Sequence, residues 1–199
     1  MEERASDLPS PLVLLAREAA AGDSAATSKL LRAIAPKLIA VVKAILGAGH
    51  ADVDDAVQQT LIGFVQGLPA FRGDCDPTGY GRVIAVRTAV AIRKRARARD
   101  AKTDPAADAD TMAGTASPRE DTFARRRKAA LRDLLAELPQ EQGEAIAMRV
   151  VLGFSLEEIA SQSGAPLNTV RSRLRLAKER LRARIESDPD LRETLEVQR

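Results

Sequence analysis

The stretch from residue 100 to 121 divides this chain in two. It carries Pro105, Gly114 and Pro118 among repeated Ala and Asp, and almost nothing large and apolar. Such a segment cannot bury enough surface to offset the entropy lost on ordering it, so it reads as a flexible acidic linker. The remaining chain, of 199 residues in all, is therefore expected to fold as two small units, 12–99 and 122–186. Residues 1–10 are polar and read as a frayed end, and the tail from Ser187 to Arg199 reads as one weak, exposed turn of helix.

The fold class expected is all-α. Ala, Leu, Arg and Glu dominate, β-branched runs are short, and apolar residues recur at three-to-four spacing. One helix is expected from Leu12 to Ala21, stopped at Gly22-Asp23. A second runs from Ser24 to Leu46 on Leu30, Leu31, Ile34, Leu38, Val41, Val42 and Ile45, with a kink or break expected at Pro36. A third opens on Asp52 as N-cap and carries Val53, Val57, Leu61, Phe64, Val65 and Leu68 on one face. After the loop Phe71–Pro77, a fourth spans Thr78 to Arg99, apolar through Val83, Ile84, Val86, Val90 and Ile92 and then wholly basic.

Net charge is only +3, but the cations are concentrated. Arg93, Lys94, Arg95, Arg97 and Arg99 form one run; Arg171, Arg173, Arg175, Lys178, Arg180, Arg182 and Arg184 form another. Two basic blocks on either side of an acidic spacer suggest two polyanion contacts. Enzymatic chemistry is poorly provided for. The single Cys75 and single His50 exclude an intrachain disulfide, leave no expectation of a structural metal site, and remove most nucleophile–base pairs. No cofactor is expected. No apolar run is long enough to cross a membrane and no signal-peptide pattern opens the chain, so a cytoplasmic location is expected.

The second unit is the more informative. Leu131, Leu134, Leu135 and Leu138 form an apolar stripe ending at Pro139, and a helix follows from Gln142 to Val151. Ser155-Leu156-Glu157-Glu158 has the form of a capping box starting a short helix, Leu156 to Ser161. Gly164 suits a left-handed turn residue, and Pro166 suits the first turn of the next helix. That helix sets Val170, Leu174, Ala177 and Leu181 on one face and Asn168, Thr169, Arg171, Ser172, Arg173, Arg175 and Lys178 on the others. A short capped helix, a glycine turn and a longer basic helix is the helix-turn-helix plan, whose second helix enters the major groove of DNA. A solvated cationic helix in an ordinary bundle is the plainer alternative.

The stretch LRDLLAELPQEQGEAIAMRVVLGFSLEEIASQSGAPLNTVRSRLRLAKERLRARI, Leu131–Ile185, resembles region 4 of extracytoplasmic-function (ECF) sigma factors of the sigma-70 family. LLAREAAAGDSAATSKLL and ADVDDAVQQTLIGFV resemble their region 2. The resemblance implies a non-enzymatic initiation subunit that directs RNA polymerase core to a promoter. It implies that Asp54, Asp55, Gln58 and Gln59 dock on the β′ clamp helices, with Gln59 where the family usually has Glu. Region 4 would meet the β flap and read −35 DNA through Asn168, Thr169, Arg171, Ser172, Arg173, Arg175 and Lys178. Melted −10 DNA would meet Arg72, Asp74, Tyr80, Arg87, Arg93, Lys94, Arg95 and Arg97. Here the chain departs from the family: Tyr80-Gly81 replaces Trp-Leu, Arg87 replaces Asn, and Ala91 replaces Asp. An anti-sigma factor is the further partner implied. Two other readings remain open: a stand-alone helix-turn-helix regulator, and a sigma mimic that sequesters polymerase or an anti-sigma factor. Cys75 reads as a plain loop cysteine, since Asp74 and Asp76 oppose thiolate formation.

Overall fold

A computed structural model of the protein describes residues 10–71, 76–101 and 122–195, over which the chain forms nine α-helices and no strand. The expected linker, save its first two residues, and the loop carrying Arg72, Asp74 and Cys75 lie outside the described residues.

The first four helices are α1 (Pro11–Ala20), α2 (Ser24–Leu46), α3 (Val53–Gly67) and α4 (Pro77–Asp100), with a single 3₁₀ turn, Leu68–Ala70, after α3. Local chemistry explains most of their starts. The Asp23 carboxylate accepts from the amides of Ala25 at 2.7 Å and Ala26 at 3.0 Å, two donors that the first turn of α2 cannot pair internally. Those amide bonds hold the Asp23 carboxyl below its ordinary pKa. Asp76 caps α4 by accepting from the Thr78 amide at 3.3 Å.

Asp52 precedes α3 as expected, but its side chain makes no capping bond; it turns instead to Arg99 of α4, 2.5 Å away. Pro36 neither breaks α2 nor shortens it, because it lies on the exposed side of the helix, where the carbonyl that loses its donor is open to water.

α3 is rotated from the face expected of it. Its buried line is Val53, Ala56, Thr60 and Phe64, whereas Val57 and Leu61 are half-buried and Val65 is exposed. Thr60 tolerates full burial because its hydroxyl donates to the Ala56 carbonyl at 2.7 Å. The core of this part sits where α2 crosses α3 and α4, around Leu30, Ile34, Leu38, Phe64 and Val86. Gly81 permits that approach, since a Cβ there would lie 3.0 Å from Leu38 and 3.2 Å from Phe64.

The remaining helices are α5 (Thr122–Glu137), α6 (Gln140–Val150), α7 (Leu156–Ser163), α8 (Leu167–Glu186) and α9 (Pro189–Leu195). The capping box is complete: the Ser155 hydroxyl accepts from the Glu158 amide at 3.1 Å, and the Glu158 carboxylate accepts from the Ser155 amide at 2.7 Å. Gly164 closes α7 with φ +67°, a left-handed conformation that a side chain would strain. Pro166 occupies the N-cap of α8, one place ahead of the first turn. Ile159, Val170 and Leu174 wedge α7 and α8 onto Met148 of α6. The tail does form a helix, α9, started by Asp188, whose carboxylate accepts from the Leu191 amide and from Arg184.

α5 and α6 pack on α4, and the buried apolar cluster runs on from α2–α4 into α6–α8. The free chain is thus folded together, with α4 as the element common to both parts.

Candidate nucleic-acid and partner interfaces

Three helices carry the residues singled out in the sequence, and they present them differently. On α3, Asp54, Asp55, Gln58 and Gln59 are all exposed. Their spacing places Asp55, Gln58 and Gln59 on one face, and Gln59 Nε2 donates to Asp55 Oδ2 at 2.8 Å. One turn further along, Ile62 is 47% exposed, so the polar group continues into an apolar one. Polar pairs set in fixed geometry beside bare apolar surface suit docking to another protein better than simple solvation.

On α8 the buried line Val170, Leu174 and Ala177 fixes the helix against α6 and α7 and turns Asn168, Arg171, Ser172, Arg175 and Lys178 outward. Thr169 and Arg173 are half-buried. Arg171 donates to Asn168 Oδ1 at 3.2 Å and Arg175 pairs with Glu179 at 2.7 Å, both along the same helix. Arg173 instead reaches back to Glu141 at the start of α6, at 2.6 Å. Apart from Arg173, the face is accessible, cationic and held by contacts within its own helix, which suits it to a DNA groove.

α4 differs. Tyr80, at its N-terminal end, packs its ring 5.9 Å from that of Phe64 and 5.7 Å from that of Phe71, and a Cβ on Gly67 would overlap its hydroxyl. Further along, the arginines turn towards the C-terminal helices. Arg87 donates to the Gln162 carbonyl at 3.2 Å and lies 3.8 Å from Glu144. Arg93, whose side chain is only 12% exposed, binds Asp133 at 2.6 Å and the carbonyls of Arg132 and Leu46 at 3.1 and 2.8 Å. Arg97 pairs with Glu137 at 2.7 Å. Lys94 and Arg95 remain exposed.

Several participants escaped the sequence reading. Arg82 donates to the Leu152 carbonyl and lies 5.9 Å from the centre of the Phe154 ring. Arg132 donates to the Ala44 carbonyl at 3.1 Å, so that with Arg93 it satisfies two terminal carbonyls of α2. Asp133, Glu137 and Glu144 supply the acidic counterparts. The only legible trace of this arrangement is the four-residue spacing of Asp133 and Glu137, which says nothing about a partner 40 residues away.

His50 lies beside this junction. Its Nδ1 accepts from the Asp52 amide at 3.1 Å. Burial holds its pKa below the ordinary histidine value, and the nearby Arg93 charge adds to the effect.

An open apolar groove of about 670 Å³ lies between α2, α5, α6 and α8. Leu131 and Val150 on its wall are 49% and 74% exposed, and Lys128 and Lys178 stand at its edge. Among the described residues, no cluster of His, Cys, Asp and Glu could hold a metal ion, and no helix is long and apolar enough to cross a membrane.

Comparison with known proteins places this architecture. Residues 30–99 match the family model for sigma-70 region 2, and residues 128–181 match that for sigma-70 region 4. The ECF RNA polymerase sigma factor SigD of Mycobacterium tuberculosis is 30% identical over 176 residues, covering 84% of this chain and 81% of that protein. The ECF RNA polymerase sigma-E factor of Escherichia coli is 28% identical over 169 residues, covering 79% and 85%. Among solved structures, CnrH in complex with the cytosolic domain of CnrY superimposes with a TM-score of 0.55 at 23% identity, over 88% of this chain and 97% of that one. The sigma factor RpoE of Bartonella quintana, in complex with the anti-sigma factor NepR, gives 0.53 at 24% identity, over 86% and 98%. Both carry the same fold.

Proposed function

The chain belongs to the ECF sigma factors of the sigma-70 family, and on that footing we propose how its surfaces divide the work of starting transcription. It is an alternative sigma factor that binds core RNA polymerase and directs it to a promoter. The unit 12–99 serves as region 2 and the unit 122–186 as region 4, joined by the linker 100–121. The α3 face made by Asp54, Asp55, Gln58 and Gln59 docks on the clamp helices of the β′ subunit. The α8 face made by Asn168, Thr169, Arg171, Ser172, Arg173, Arg175 and Lys178 reads the −35 duplex. Residues near the N-terminus of that helix reach base edges, and the arginines further along neutralise phosphates.

The melted −10 strand falls to α4 and the loop before it. Tyr80 offers an aromatic face, Arg72 and Asp74 precede it in sequence, and Arg87, Arg93, Lys94, Arg95 and Arg97 supply charge for the backbone. The groove walled by Leu131 and Val150 takes an apolar helix from the β flap, as its bare, open lining would favour. The chain needs no cofactor and contributes no catalytic group, since the polymerase makes the bond; its place is therefore the cytoplasm. An anti-sigma factor is the expected antagonist, as the solved neighbour RpoE is found in complex with the anti-sigma factor NepR.

The observation that carries this reading is the simultaneous exposure of the Asp55/Gln58/Gln59 face and of the α8 face in one chain. A stand-alone DNA-binding regulator would need only the second. The test is binding to purified core polymerase. The wild-type chain should form a stable complex that Asp55→Arg with Gln58→Ala abolishes, while duplex binding through α8 is retained. A folded wild-type chain, free of inhibitor, that ignores the core enzyme would sink the reading.

A further inference from the structure

The cations that make α4 suitable for DNA are the ones that hold the C-terminal helices on it. Arg82, Arg87, Arg93 and Arg97 run along one side of the helix, and each ends on a group from α5, α6, α7 or the connection between α6 and α7. Three of the receiving groups are carboxylates: Glu144 for Arg87, Asp133 for Arg93 and Glu137 for Arg97. Glu137 also takes Arg184 of α8 at 3.2 Å, so one carboxylate joins three helices. The receiving groups are anionic oxygens and carbonyls, the acceptor chemistry that a nucleic-acid backbone would offer the same guanidinium groups.

We infer that this is an autoinhibitory clasp: in the free chain Asp133, Glu137 and Glu144 stand in for phosphates on α4 and occupy the guanidinium groups of Arg87, Arg93 and Arg97. The inference rests on the proposed DNA role of α4. It goes beyond that role in assigning the same arginines a second, mutually exclusive partner within the chain. Closure spares the other two surfaces, since the α3 docking face and the outward residues of α8 are exposed in the closed arrangement. A closed chain is therefore competent to meet polymerase or duplex, while three arginines of the single-strand site are engaged within the chain.

Two features suit the clasp to release. Its strong contacts are ion pairs, and at least one partner in each of the three carboxylate pairs is well exposed to solvent, so rising salt weakens them. At the α4–α6 contact, where a Cβ on Gly143 would come within 3.3 Å of Val90, the neighbouring Gln142 side-chain oxygen is buried without a hydrogen-bond partner among the described residues. Opening the contact would hydrate it.

The experiment uses the full chain with Cys75 replaced by serine and spin labels on cysteines introduced at the exposed positions Gln66 of α3 and Arg180 of α8. Pulsed dipolar distances should show one short population at about 50 mM salt and a growing long population towards about 500 mM. Asp133→Arg with Glu137→Arg should give the long population at low salt, with helix content unchanged by circular dichroism. The exchange Arg97→Glu with Glu137→Arg should restore part of the short one, which a merely destabilised variant would not do. Binding of a −10 single strand should rise about tenfold in Asp133→Arg/Glu137→Arg, because apparent affinity scales with the fraction of competent chain. A distance that ignores both salt and charge reversal overturns the clasp. Opening with no gain in single-strand binding keeps the clasp but overturns its competition with DNA, and with it the DNA role of α4.

Discussion

α4 and α8 are both long, both arginine-rich, and both carry an apolar line that seats them in a core, yet they spend their charge in opposite ways. On α8 the contacts of Arg171 and Arg175 stay within the helix and leave the cations facing solvent. On α4 the arginines reach across to helices 39 to 75 residues away in sequence. Charge composition alone would give the two helices the same role. What separates them is the neighbour each apolar line brings into reach. The buried stripe of α8 seats it on α6 and α7 and leaves Arg171, Ser172, Arg175 and Lys178 facing solvent, while Arg173 and Arg184 reach back to Glu141 and Glu137. The wider apolar surface of α4 packs against α2 and α3 and then against α6 as well, so part of its polar flank lies within reach of the C-terminal helices.

The sharpest way to break this comparison is to remove what orients α8. Val170 is fully buried at the centre of the helix-turn-helix, and Val170→Asp places a charge there with no partner. It should cost about 3–5 kcal/mol and abolish −35 duplex binding. Urea unfolding and electrophoretic mobility shift would register both losses; an unchanged shift would mean that the exposed face does not depend on the buried one.

A smaller effect sharpens the comparison instead. Arg171→Ala on α8 should cost about 1–3 kcal/mol on the cognate duplex and relax base preference at one position. Lys94→Ala on α4, outside the clasp, should weaken polymerase–promoter complexes evenly across sequences and lower the salt slope by about one. The two variants are compared by competition binding at several salt concentrations. Equal sequence-dependence would erase the distinction between a reading helix and a phosphate-binding one.

The smallest effect concerns His50, close to the Arg93 end of the clasp. Its folded-state pKa lies below the ordinary value of 6.5, first through burial and then through the Arg93 charge. The folded state thus favours the neutral ring, and the unfolded chain takes up the proton first as pH falls. The stabilisation is complete above about pH 6.5 and lost below it as the ring protonates. Thermal unfolding should show a slight fall in Tm from pH 7.5 to 5.5 that His50→Gln removes. A Tm that falls equally in both would place the pH response elsewhere.

The parts of this fold governed by local chemistry were legible in the sequence. α2 has the boundaries that its periodicity and flanking glycines suggest, and the Ser155/Glu158 box and Gly164 turn do what their residue types favour. Where tertiary contact decides, the sequence misled. The apolar positions of α3 allowed two nearby lines, and the hydroxyl bond of Thr60 let the less obvious one be buried. Asp52 had a local capping role available and took a cation from α4 instead. The exposure of the α3 and α8 faces followed from helical spacing alone. The engagement of Arg87, Arg93 and Arg97 did not, because a partner tens of residues away leaves no mark on periodicity.

The closing contacts join α4 to groups that are synthesised later, beginning with α5 at Thr122. Leu30, Ile34, Phe64 and Val86, at the centre of the α1–α4 core, are all synthesised before Asp100, and N-terminal units generally fold first as a chain emerges. On the ribosome there is accordingly an interval in which α4 is complete and Arg82, Arg87 and Arg97 lack the C-terminal groups that they engage in the finished chain. Every newly made chain passes once through the open state before the clasp exists, in the company of RNA, the most abundant polyanion nearby. The order of synthesis thus gives the open form a brief existence without any signal.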